Sequence, residues 1–143
     1  MKKVIAVVLI IYLVPACSYA LDLSEFNANA VMLGEKEIDL STEGRLGNYI
    51  TYTSNGCRIG FVEHENQISG VLLDGDGVSF LAYAMAAIML FDDNAETFRD
   101  NAGKLLAAYL LLRTSDRQYD IISTGHAFVL MRIDDACVFT IGR

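Results

Sequence analysis

The sequence predicts an α+β fold: a mainly antiparallel sheet (a meander plus a C-terminal hairpin) covered on one face by two central helices. Three observations carry that expectation. From Asn48 to Leu73 apolar residues recur at every second position, with Asn55-Gly56 between two such runs. Two longer segments follow, Val78 to Phe91 and Ala95 to Arg113, with apolar content and length suited to helices. From His126 to Ile141 the period of two returns on either side of Asp134-Asp135.

The elements follow in order. Ser24 to Leu33 predicts a short helix, with Ser24 as N-cap, Gly34 as stop, and Phe26, Ala30 and Leu33 on one side. Glu37 to Leu40 predicts a short strand, and Ser41 to Gly47 a loop. Tyr49 to Thr53 and Arg58 to Val62 form a hairpin. Asn-Gly favours a type I′ turn, because that turn needs positive φ at both central residues. This register sets Ser54 opposite Cys57, Tyr52 opposite Ile59 and Ile50 opposite Phe61, so Ile50, Tyr52, Cys57, Ile59 and Phe61 share the core face. Ile68 to Leu73 is the third strand, after the polar turn His64-Glu65-Asn66-Gln67.

Asp74-Gly75-Asp76-Gly77 breaks the sheet. Val78 to Phe91 is polar only at Ser79 and Tyr83, so that helix must be covered on more than one side. Asp93, with Glu96 three residues on, predicts the N-cap of the second helix. Asp100 and Lys104 make an i,i+4 pair on its outer face. Leu110-Leu111-Leu112 ends it with no polar side. Ile121-Ile122 begins a strand, and His126 to Ile133 pairs with Ala136 to Ile141. That hairpin sets Arg132 opposite Cys137, Leu130 opposite Phe139 and Phe128 opposite Ile141.

The chain of 143 residues divides into an expected signal peptide, 1–20, and a single domain, 21–143. Met1-Lys2-Lys3 precedes an apolar run from Val4 to Val14, and Ser18-Tyr19-Ala20 supplies small residues where a signal peptidase reads. Eleven apolar residues reach about 16 Å, short of a membrane core of roughly 30 Å. Val14-Pro15-Ala16-Cys17 resembles the lipobox of bacterial lipoproteins, which implies the alternative of a membrane anchor through an acylated Cys17. Cleavage after Ala20 removes Lys2 and Lys3 and takes the formal charge from −7 to −9. A hydrophobic content of 53% against 20% charged residues excludes a disordered chain. The acidity excludes a phosphate-backbone binder and favours a basic partner protein.

Two cysteines remain in 21–143. In an oxidising compartment the simplest expectation is a disulfide between Cys57 and Cys137, which would close a loop of 80 residues and contribute roughly 4 kcal/mol. The alternative is a cysteine hydrolase with Cys57 as nucleophile and His126 as base. Two features oppose it: Cys57 enters a strand rather than opening a helix, and a Cys57–Cys137 bond would put it about 20 Å from His126. Asp74-x-Asp76-Gly77 matches the opening of a calcium loop, but Val78 and Met85 stand where later oxygen ligands belong, so a turn capping the helix is expected. His64 between Glu63 and Glu65 reads as a solvated tip. No phosphate cradle, zinc-spaced set or nucleophile elbow is present, so no cofactor and no metal is expected.

Asp92, Asp93, Glu96 and Asp100 cluster about the interhelix turn as an acidic partner-binding patch. The functional expectation is an exported, non-enzymatic protein-binding domain, periplasmic or secreted. Its most specific form is an inhibitor or immunity protein neutralising a secreted cell-wall-degrading toxin. A lipid-anchored envelope assembly or secretion accessory factor is the reading if Cys17 is lipidated. A homodimer is expected because the two helices are apolar on more faces than one small sheet covers.

Overall fold

The computed structural model describes residues 22–92, 94–112, 119–122 and 127–142. The expected signal segment, with Cys17, lies outside the described residues. Helix α1 (22–32) is already formed at Asp22, ahead of the expected cap at Ser24. Asp22 instead reaches across to the sheet, its carboxylate accepting the Ile68 N–H at 2.9 Å. The helix ends where the sequence marks it. Gly34 takes φ +90°, Glu35 N donates to Ala30 O and Gly34 N donates to Val31 O, a Schellman closure.

The strand expected over 37–40 does not form. Ile38 N donates to Asn27 Oδ1 on α1, and Asp39 accepts both the hydroxyl and the N–H of Ser41. A single 3-10 turn, Leu40–Thr42, follows. Local side-chain acceptors have displaced the ladder here, and the Ser41 hydroxyl, then its N–H, hold the Asp39 carboxyl below its usual pKa. The expected loop instead contributes the edge strand β1 (Gly44–Leu46), paired with the next strand.

The first hairpin has the register that Asn55-Gly56 dictates. Both residues take positive φ, 49° and 75°. Strands β2 (Tyr49–Ser54) and β3 (Cys57–His64) set Ser54 opposite Cys57, Tyr52 opposite Ile59 and Ile50 opposite Phe61. β4 (Gln67–Gly75) returns after a turn with Glu65 and Asn66 at positive φ, and a bulge at Val62/Glu63 adjusts its register.

Asp76 caps α2 (Gly77–Phe91), its carboxylate accepting the Gly77 N–H at 2.8 Å. The Asp74-x-Asp76-Gly77 turn is thus a cap. At the start of α3 (Ala95–Leu112) Asn94 Oδ1 accepts the Glu96 N–H. Asp93 lies outside the described residues. β5 (Tyr119–Ile122), β6 (Ala127–Ile133) and β7 (Ala136–Gly142) complete the chain. β6 and β7 pair in the expected register, Arg132 with Cys137, Leu130 with Phe139 and Phe128 with Ile141.

Among the described residues the sheet has seven strands, all antiparallel, in the order β1-β2-β3-β4-β7-β6-β5. The chain climbs from β1 to β4, crosses over the helices to the far edge, and returns so that β7 closes against β4. The helices lie on the face bearing Ile50, Ile59, Phe61, Leu73, Leu130 and Phe139, all fully buried. α2 is apolar on every side because it is covered on several: the sheet lies beneath it, α1 stacks Phe26 on Tyr83, and α3 stacks Tyr109 on Phe80. α1 therefore joins the two central helices as a third element of that layer. On the opposite face Tyr49, Val62, Leu72, Met131 and Val138 are half-buried, with no described element over them.

Candidate functional site

Each end of α2 carries an aspartate bonded to a polar side chain of α3. At the N-terminal end, Asp76 Oδ1 accepts the Tyr109 hydroxyl at 2.7 Å and the Gly77 N–H, and Gly77 N also donates to Tyr109 Oη at 3.1 Å. Cys137 Sγ lies 4.0 Å from the same carboxylate oxygen. Cys57 comes from the other side, packed over Gly75: a Cβ at residue 75 would stand 2.8 Å from Cys57 Sγ and 3.3 Å from its Cα.

This geometry bears on both cysteine expectations. Cys57 and Cys137 are not joined to one another, and each is buried, 1% exposed. Gly75 pairs with Cys137 across β4 and β7, and the Arg58–Asp74 pairing sets Cys57 beside Gly75 on the other side. The two cysteines thus flank a whole strand, two strand spacings or about 9.5 Å apart. A disulfide needs Cα atoms within roughly 7 Å. The expected Cys57–Cys137 bond is therefore not formed, because both hairpins are right but β4 stands between them. As a nucleophile Cys57 is poorly placed as well. Burial foremost, then the Glu35 carboxylate, push its thiol up to about 11, against a smaller opposing pull from the Asp76 N–H. His126 lies outside the described residues.

At the C-terminal end the aspartate is half-buried, whereas Asp76 is exposed. Glu25 and Asn29 of α1, Met89 at the end of α2, Asp92, and Ala95 and Phe98 of α3 line a groove of about 340 Å³. Asn29 Nδ2 donates to Ala86 O at 3.4 Å. Asp92 Oδ2 accepts Asn101 Nδ2 at 2.9 Å. Asn101 is only 2% exposed, and its Oδ1 has no hydrogen-bond partner among the described residues. Such an unfilled buried acceptor is uncommon enough to ask for a reason.

The expected acidic patch divides here. Asp92 lines the groove, Glu96 is exposed in the first turn of α3, and Asp100 is engaged by Lys104 at 2.9 Å. Ion pairs among the described residues also use Glu63 with Arg45 and Glu65 with His64; Glu25, Asp92 and Glu96 have none there, and neither do Glu35, Glu37 and Glu43. Glu25 was not among the patch residues legible in the sequence, since it stands on α1, far along the chain from the interhelix turn. Only the packing of α1 against α2 brings it here. No group of three metal-binding side chains occurs among the described residues.

A second, apolar groove of about 300 Å³ lies between the start of α2 and the end of α3, lined by Gly77, Val78, Leu81, Leu106, Tyr109 and Leu110. Val78 is 81% exposed, and Leu106, Leu110 and Leu111 stand out beside it. Compared with known proteins, the chain matches no family model, no curated protein and no solved structure.

Proposed function

We propose that the chain is an exported, non-enzymatic protein-binding domain that acts by holding or occluding a basic partner. Its most specific form is a periplasmic inhibitor or immunity protein for a secreted cell-wall-degrading enzyme. The observation that carries this reading is the groove at the α1–α2–α3 junction, where carboxylates without a cation border an apolar floor of Met89, Ala95 and Phe98. Charge of one sign around a low-dielectric cleft draws in a basic protein surface and orients it. The burial and raised pKa of Cys57 weigh against the hydrolase alternative. The self-association expected from the sequence would seat on the exposed row Val78, Leu106, Leu110 and Leu111.

Residues 21–143, purified and mixed with basic muramidases and amidases at low and high salt, test the reading. The expected result is stoichiometric inhibition that weakens as salt is raised. Absence of inhibition together with a hydrolytic activity lost in Cys57→Ala would replace it with the enzyme reading. A one-chain mass by light scattering at micromolar concentration would remove the self-association.

A further inference from the structure

The side chain of Asn55 ties the β2–β3 turn to two other parts of the fold. Its Nδ2 donates to Glu35 Oε2, just after α1, at 2.6 Å and to the Tyr83 hydroxyl of α2 at 3.3 Å. That hydroxyl, on a fully buried side chain, donates in turn to Lys36 O at 3.3 Å and meets the Ser54 hydroxyl at 2.8 Å. Asn55 itself is exposed, so its amide is held by these bonds rather than by burial. The backbone is held as well. Asn55 and Gly56 stand at φ 49° and 75°, and the strands on either side pair without a break from Ser54–Cys57 to Tyr49–Val62.

Asn55 is also the only asparagine of the sequence that precedes a glycine. The nitrogen of a following residue can attack an asparagine side-chain carbonyl carbon, and glycine, with no Cβ, obstructs that approach least. The bond from Gly56 N to Asn55 Cγ forms and the Cγ–Nδ2 bond breaks. The proton lost by Gly56 N leaves with the amine as ammonia, and a cyclic imide remains. Water then opens the imide at either carbonyl, giving aspartate or isoaspartate. Ring closure brings Asn55 Cβ and Gly56 N into one plane, which takes ψ of Asn55 far from the value of about 30° that a type I′ turn requires. The closed hairpin is therefore out of reach of this reaction. We propose that Asn55 is a site of spontaneous deamidation, latched by Glu35 and Tyr83 so that it converts only when the β2–β3 hairpin opens. Conversion is a one-way mark of that opening. A carboxylate at position 55 has no N–H to give and stands against the Glu35 carboxylate. Isoaspartate adds a main-chain carbon to a two-residue turn whose length sets Ser54 opposite Cys57.

The experiment incubates residues 21–143 in warm, mildly alkaline buffer, native and in urea, and follows the one-dalton gain at Asn55 by peptide mapping. Conversion should be at least about tenfold slower in the native protein, because it waits on local opening. Glu35→Ala, which removes the carboxylate acceptor, should speed conversion several-fold in the native protein and leave the rate in urea unchanged. Glu35→Gln, which keeps an acceptor oxygen, should restore most of the protection. Glu65→Ala, at the exposed β3–β4 turn, should convert as the parent does. Asn55→Asp, which reproduces one product, should unfold at a lower urea concentration than the parent. Equal rates in native and unfolded protein, no acceleration in Glu35→Ala, or equal acceleration in Glu65→Ala would each overturn the assignment. Asn55→Asp as stable as the parent would remove the latch. Should Glu35→Ala fail to fold, the native-to-urea ratio and Glu35→Gln decide the matter.

Discussion

Helix α2 is tied to α3 at each end through an aspartate, and the two ties are built differently. At the N-terminal tie Asp76 serves the cap of α2, the Tyr109 hydroxyl and the neighbourhood of both thiols, inside a region where Cys57, Tyr109 and Cys137 are buried. Its polar atoms are matched, and its packing leaves no room for one more carbon at Gly75. At the C-terminal tie Asp92 bonds a single amide, the amide keeps an idle acceptor, and carboxylates gather without cations. Closure of a polar network rigidifies a fold, whereas an incomplete one is where a ligand has something to add.

The comparison breaks most sharply at Gly75. Gly75→Ala puts a Cβ within 2.8 Å of Cys57 Sγ and close to the β3 backbone, so it should lower unfolding free energy by about 3 kcal/mol, read by urea denaturation. Adding Cys57→Ala should return part of that loss, because the two residues share one space. Tyr109→Phe comes next. It strips the hydroxyl that joins Asp76 Oδ1 to Gly77 N and should cost about 2 kcal/mol in the same assay.

Asn101→Leu, the matching change at the other tie, should alter stability by less than about 1 kcal/mol. It removes an acceptor that was already unfilled, and the half-exposed Asp92 can turn to water. A loss at Asn101 as large as at Tyr109 would mean that the two ties contribute alike.

The smallest effect is chemical. Ellman titration of residues 21–143 should find two thiols in the unfolded, unreduced chain and neither in the native one at pH 8. One sign follows from the raised Cys57 pKa. The unfolded chain releases this proton from about pH 9, whereas the folded chain holds it until about pH 11. Stability should therefore be unaffected by this group below pH 9 and fall between pH 9 and 11, and Cys57→Ala should flatten that part of the curve. Tyr83, raised mainly by burial, adds to the alkaline decline and remains in the variant.

What the sequence determined by itself is local. Asn55-Gly56 and Asp134-Asp135 set two hairpin registers, because a two-residue turn leaves no freedom in which residues face one another. From those registers the core faces followed, Cys57 and Cys137 included. The apolar runs marked both central helices to within a residue, since their periodicity and punctuation are read over neighbouring positions. Tertiary structure decided everything that joins distant segments. The placement of β7 beside β4 put a strand between two cysteines whose individual positions were correctly read. Asn27 and Asp39 drew residues 37–42 away from the sheet through side-chain bonds that no alternation reveals. The packing of α1 on α2 carried Glu25 to Asp92 and so made a groove out of what the sequence shows only as an acidic turn. Turn geometry acts over four residues and is written there. The pairing of elements is chosen by how much apolar surface the whole chain can bury at once, and that quantity belongs to no segment alone.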